Sequence, residues 1–244
     1  MTRDDMATSF GRETDNYNRG RPSYPQAAVD WLVPATATTI ADVGAGTGKL
    51  TASMLQPDRD VIAVDPDTEM LASLAKQYPT VRTLHGTGEQ IPLPDASVDA
   101  VVFGQAWHWV DPDAASREVA RVLKPGGTLG LIWNIRDESV PWVHRLTEIM
   151  HGSAAEILIA EGGPTVSAPF ESVEENRVEW QRQMTADDIV AMAASRSYVI
   201  TAEEQDRERI LAEIADLLAN DPDVTGQSPI VMPYVTHSYR AIKP

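Results

Sequence analysis

From residue 38 to 133, short β-branched and apolar runs alternate with stretches of helical period, the pattern of a parallel sheet built from strand-helix-strand units. Five strands are predicted: TTIADV (38–43), DVIAVD (60–65), TVRTLHG (80–86), VDAVVFG (98–104) and TLGLIW (128–133). They are mostly apolar, as strands covered on both faces should be. Between the last two, the segment from Pro112 to Lys124 puts Val119, Val122 and Leu123 on one helical face and stops at Pro125-Gly126-Gly127. Ahead of the sheet, Ser23 is placed to cap a helix from Tyr24 to about Val33, with Pro25 in its first turn.

Beyond Trp133 the pattern changes. Residues 140–160 read as helix, broken by Gly162-Gly163-Pro164. A polar, alternating stretch over 171–183 with Val173, Val178 and Trp180 predicts an exposed or antiparallel strand, and 229–239 a second. Two helices are expected between them. Thr185 with Asp188 approximates a capping box, Thr201 with Glu204 satisfies one, and Ile210, Leu211, Ile214, Leu217 and Leu218 make a core-facing stripe. With no internal repeat or low-complexity tract, the chain reads as one α/β domain with a helical insertion near its C-terminal end.

Composition narrows the function. The 244 residues, 43% of them hydrophobic, can bury a large core, and no apolar run is long enough to predict a membrane span. The start MTRDDMATSFGRETD lacks the apolar stretch of a secretory signal, so a cytoplasmic address is expected. With no cysteine, disulfides, thiol nucleophiles and thiolate metal sites are excluded, and no metal centre is expected. A formal net charge of −16 repels phosphate backbones, so nucleic acid is not an expected partner.

The sharpest local signal is Asp42-Val43-Gly44-Ala45-Gly46-Thr47-Gly48, where the first strand turns into a helix. A phosphate loop of the GxxxxGK[ST] type fails, because position 43 is valine and position 50 leucine. A dinucleotide GxGxxG loop keeps Gly44 and Gly46 but finds Lys49 at its third glycine, which weakens a nicotinamide-dependent oxidoreductase without removing it. G-x-G-x-G with an acid two residues ahead suits a compact ligand, zwitterionic at one end and carrying a sulfonium: S-adenosylmethionine. The glycines admit close backbone approach, Asp42 can offset an ammonium, and Asp65, ending the second strand, can accept two hydrogen bonds from a ribose diol.

These residues, with HGTGEQIPLPDASVDAVV (85–102), FGQAWHW (103–109), RVLKPGGTL (121–129), YNRGRPSYP (17–25) and AASRSYV (193–199), resemble the class I S-adenosylmethionine-dependent methyltransferases, in particular the type 11 small-molecule branch. The resemblance implies a Rossmann-like, seven-stranded, mostly parallel sheet with helices on both faces. It divides the single domain 1–244 into an N-terminal lid and helix (1–36), a cofactor-binding core (37–133), and an acceptor-side insertion with the final strands (134–244). Cofactor contacts are implied at Tyr17, Arg21, Asp42, Gly44, Ala45, Gly46, Gly48, Asp65, Pro66, Gly88, Glu89 and Gln105. Thr87 stands where the family usually has Asp, which moves the expected adenine contact to the Gly88 backbone and Glu89. Tyr17, Arg21 and Tyr24 fall in the lid, where Arg21 can pair the cofactor's carboxylate.

If the fourth strand pairs beside the first, as the resemblance implies, the loop Gly104-Gln105-Ala106-Trp107-His108-Trp109 faces the glycine loop, and His108 becomes the candidate catalytic residue, as base or orienting donor. Trp107 and Trp109 can wall out water, or can equally be core. Arg136 and Arg196 are candidates to hold an anionic acceptor, with ion pairing inside an acid-rich chain as the equal account. The His108-Trp109 pair is similar to that of carboxylate methyltransferases acting on small polyacids such as trans-aconitate. The expected partner is a small-molecule methyl acceptor, methylated at a carboxylate or a hydroxyl group; a carboxylate would need no base, whereas a phenol, amine or activated carbon would benefit from His108. A sensor or scaffold that only binds the cofactor is the alternative from outside enzymes.

Overall fold

The computed structural model describes residues 22–196, 199–200 and 202–244. Seven strands form one sheet in the order β3-β2-β1-β4-β5-β7-β6, where β1 is Thr39–Val43, β2 Asp60–Asp65, β3 Arg82–His85, β4 Val98–Gly104, β5 Leu123–Arg136, β6 Glu174–Met184 and β7 Ile230–Ile242. The first five pair in parallel, while β7 runs antiparallel to both β5 and β6. This is the expected Rossmann-like sheet. The order reverses between β1 and β4, which are hydrogen-bonded neighbours with Ala41 opposite Val101.

Eight helices accompany the strands among the described residues: α1 Gln26–Leu32, α2 Lys49–Met54, α3 Thr68–Gln77, α4 Pro112–Val122, α5 Pro141–Met150, α6 Ala154–Ala160, α7 Ala186–Ala194 and α8 Glu204–Asn220. On one sheet face α1 and α2 bury Ala28, Leu32, Leu50 and Met54 against Ile40, Ala100, Val102 and Ile132. On the other, α4 buries Ala115, Val119 and Val122 against Val101, Leu129 and Leu131. A third cluster joins α5, α7 and α8 to the ends of β6 and β7 through Leu146, Met192, Ile214 and Met232. None of the described helices is long and apolar enough to cross a membrane.

Several boundaries depart from the sequence pattern for identifiable reasons. Ser23 caps nothing: Tyr24 precedes Pro25 and is biased out of the helical region, so α1 starts at Gln26 with Pro25 at its N-cap. Pro125-Gly126-Gly127 lies inside β5 rather than before it, because Gly126 and Gly127 exchange hydrogen bonds with Lys243. The single helix expected over 140–160 is two, split where His151 takes a φ of 55° and Ser153 opens a capping box with Glu156. Thr185 and Asp188 do form the expected box. Thr201 lies outside the described residues, and α8 starts at Glu204 with Glu203 at its N-cap and no side-chain cap. Of the expected stripe, Ile210, Ile214 and Leu218 are buried, while Leu211 and Leu217 are half-buried against the same cluster.

Candidate functional site

The turn from β1 to α2 is left-handed at all three glycines, with φ of 70° at Gly44, 54° at Gly46 and 89° at Gly48. An L side chain is strained in that region. Gly44 also lacks room, since a Cβ there would sit 2.5 Å from the Ala106 Cβ, and one at Gly48 would press on Leu74 and Tyr78. The glycines therefore bring protein layers together as well as offering backbone to a ligand.

Beside this turn lies a cleft lined on one side by Asp42, Gly44, Ala45, Gly46, Thr47 and Lys49, and on the other by Tyr24, Gly104, Gln105 and Asn134. Asp42 is fully buried. Its Oδ2 accepts a 2.6 Å hydrogen bond from the Thr51 hydroxyl, while Oδ1 is buried with no partner. Burial, reinforced by the nearby Asp65 and only partly offset by Thr51, pushes the Asp42 carboxyl up to about 7. An orphaned carboxylate oxygen at a cleft wall is suited to a cationic ligand group. Lys49 is half-buried, and its ammonium is held below the usual lysine range by burial and then by Arg182.

Asp65 braces the loop. Its Oδ2 accepts from the Gly46 N–H and its Oδ1 from the Asp67 N–H, both at 2.8 Å, and burial holds its carboxyl above the usual range. Pro66 follows it, half-buried. Thr87 and Gln90 exchange backbone hydrogen bonds, leaving Gly88 and Glu89 at the tip of a tight turn. A Cβ on Gly88 would meet Val110 at 2.7 Å, and Glu89 Oε1 accepts from the Asp111 N–H at the start of α4. That carboxylate is thus drawn toward α4. Asp65, Pro66, Gly88 and Glu89 do not line the cleft beside the glycine loop.

After β4, Gln105 takes a φ of 57°, its N–H donates to the Ile132 carbonyl and its Nε2 to the Asn134 carbonyl at 3.0 Å. A 3-10 turn, Trp107–Trp109, follows. Trp107 is core, packed edge-on to Phe103 with its indole N–H bonded to the Thr165 carbonyl. His108 is half-buried, and its Nδ1 accepts from the Trp133 indole N–H at 3.3 Å. A neutral imidazole accepting at Nδ1 carries its proton on Nε2.

The family model described as a methyltransferase domain matches residues 41–131. An uncharacterized methyltransferase of Mycobacterium tuberculosis is 47% identical over 245 residues, covering 98% of this chain and 98% of that one. The chain belongs to the class I S-adenosylmethionine-dependent methyltransferases. An uncharacterized methyltransferase of Schizosaccharomyces pombe is 32% identical over 254 residues and 98% of both chains. A solved structure from Anaeromyxobacter dehalogenans, named as a type II methyltransferase, matches this methyltransferase with a TM-score of 0.65 at 25% identity, over 91% of this chain and 97% of that one. Family membership replaces the nicotinamide and scaffold alternatives.

The methyltransferase brings Asp42, Gly44, Ala45, Gly46 and Gln105 to one cleft. Gly48 is instead the N-cap of α2. Tyr17 and Arg21 lie outside the described residues. Local patterns missed two residues. Thr51, one helical stretch beyond the glycines, bonds Asp42, and its hydroxyl inside an otherwise apolar helix face was the available signal. Asn134, the first polar residue after the apolar run of β5, gives Nδ2 to the Ser23 carbonyl and accepts from Thr236 at Oδ1.

At the end of β5 the methyltransferase buries Arg136. Its Nη2 bonds the Thr147 hydroxyl at 3.0 Å and lies 2.8 Å from Glu156 Oε1, while Nε and Nη1 are buried with no partner. Arg196 also reaches Glu156, at 3.3 Å. Burial would raise the Glu156 carboxyl, but Arg196, Arg136 and the Ser153 N–H outweigh it and hold the group down at about 2.

Proposed function

We propose that this methyltransferase methylates a carboxylate oxygen of a small-molecule acceptor held beyond the carboxyl ends of β4 and β5. S-adenosylmethionine supplies a methyl group on a sulfonium. Asp42 would hold the cofactor's ammonium, the 44–48 loop would face its amino-acid end, Asp65 and Pro66 its ribose, and Gly88, Glu89 and Gln105 the remaining edges, with Tyr17 and Arg21 covering it. The reading is supported most by the indole-imidazole bond at His108. With Nδ1 accepting from Trp133, a neutral His108 carries its proton on Nε2, a protonation state suited to orienting an oxygen acceptor rather than to removing its proton. A carboxylate arrives already ionised, so methylation to an ester needs no base. Trp109 packs against His108 with ring centroids 4.7 Å apart and planes tilted by 45°.

The test is incubation with methyl-labelled cofactor and a cell extract, followed by mass spectrometry and mild alkali. A small labelled product that loses methanol in alkali is expected, and an alkali-stable product or label on macromolecules refutes the ester. His108→Gln, which keeps a donor, should retain more turnover than His108→Ala, with equal affinity for S-adenosylhomocysteine in both.

A further inference from the structure

Two guanidinium groups share one carboxylate at the end of β5, and among the described residues no second carboxylate lies within ion-pair distance of Arg136, although Glu138 acts on it from farther off. This is a costly arrangement, and it stands in a chain with 36 acidic residues. Glu138, the next acid outward, faces His144 at 3.4 Å, and Tyr234, opposite Arg136 in the β5-β7 ladder, bonds Met192 Sδ. Two donors of Arg136 have nothing to bond. An unpaired buried donor is destabilising, and burial together with the Arg196 charge holds the Arg136 guanidinium below its ordinary range.

We propose that Arg136 and Arg196 seat a carboxylate of the methyl acceptor, a group separate from the one that is methylated. The proposal rests on the methyl-transfer reading above and names its substrate class: an acceptor with at least two acidic groups. Location supports it. Asn134 lines the cleft and lies two residues earlier on the same strand, so Arg136 is on the same face and farther toward the carboxyl end, where ligands of parallel sheets bind. Glu156, which orients both guanidinium groups, is on α6, whose Ala155 packs in the same apolar cluster as Trp107 of the 3-10 turn that carries His108. Arg196, at 14% side-chain exposure against 1% for Arg136, is the side from which the anion enters.

Two guanidinium groups paired with one carboxylate match a single further carboxylate better than a phosphate dianion. Guanidinium donors suit the planar group, and the anion so held is a poor nucleophile, so the methylated oxygen belongs elsewhere on the acceptor.

The experiment is calorimetric titration of the S-adenosylhomocysteine-saturated protein with succinate, citrate and benzoate, and with neutral succinamide. At least one carboxylate is expected to bind and succinamide not to. Arg196→Gln, at the accessible edge, should weaken that carboxylate about tenfold or more and leave S-adenosylhomocysteine affinity unchanged. Arg136→Lys, which keeps the charge but removes donors, should also weaken it. The proposal is overturned if no carboxylate binds, if succinamide binds equally, or if Arg196→Gln binds the carboxylate as the parent does. Failure of S-adenosylhomocysteine to bind counts instead against the methyl-transfer reading, and the carboxylate titration is then judged on the protein alone.

Discussion

The two walls of the cleft differ in how far along the chain their contacts reach. On the glycine-loop side, Asp42 bonds Thr51 nine residues on and Gly46 bonds Asp65 nineteen residues on. On the opposite side, Asn134 bonds Thr236 across 102 residues and Ser23 across 111, and behind that wall, farther along β5, Arg196 meets Glu156 across 40. The first wall is a property of backbone turns, fixed wherever glycine permits a left-handed φ. The second is a property of partners, each useless without the others. A motif can specify the first, whereas only the assembled fold specifies the second.

The comparison predicts that the partner-built wall is the more easily broken. Glu156→Gln leaves two guanidinium groups facing each other without a counter-charge and should cost about 3–5 kcal/mol, read by urea denaturation at pH 7. A change below 1 kcal/mol, on the order of a surface ion pair, would contradict the buried network. The same carboxylate predicts an acid limit. Because its pKa is depressed from 4.5 to about 2, its contribution is complete above pH 4.5 and is lost as the pH falls toward 2. That loss is about 3 kcal/mol, measurable as the pH dependence of urea midpoints, and Glu156→Gln should flatten it.

Gly44→Ala tests the backbone-built wall. The left-handed φ alone costs about 1–2 kcal/mol, and the contact with Ala106 adds to it. A thermal melt should show the loss, Ala106→Gly should restore part of it, and S-adenosylhomocysteine binding should be lost with the loop's shape. The smallest effect on binding concerns Asp42. Its raised pKa means that the ligand-free fold is favoured with Asp42 protonated, and stability falls as pH rises from 3.8 toward 7. A cation beside Oδ1 reverses the preference, so S-adenosylhomocysteine affinity should rise about tenfold between pH 6 and pH 8. Asp42→Asn should abolish that slope, and an unchanged slope in the variant would assign it to another group.

What the sequence disclosed follows the same division. The β1 to β5 rhythm, the glycine turn and the place of Asp42 were legible because period and left-handed geometry are local. So was the Thr185 box, and the Ser153-Ala154-Ala155-Glu156 box carries the same four-residue signature, although a continuous apolar period across 140–160 conceals it. Asn134 and the Arg136 cluster were not legible to the same degree. Arginine in an acid-rich chain forms ion pairs almost anywhere, and only the placement of Glu156, Thr147 and Arg196 around one guanidinium reveals which of its donors stay unmatched. Glu89 shows another limit: one of its carboxylate oxygens accepts from the Asp111 N–H of its own chain, a contact that no local pattern announces.

The hydrogen-bond relay from Trp180 through Thr236 to Asn134, and on to the Ser23 carbonyl, has a consequence for biogenesis. Residues 22–133 leave the ribosome long before Thr236 is made, so the glycine turn can form early while the cleft's far wall waits for the last strand. Ligand capture should therefore switch on as a single event once β7 pairs with β5, rather than grow with chain length.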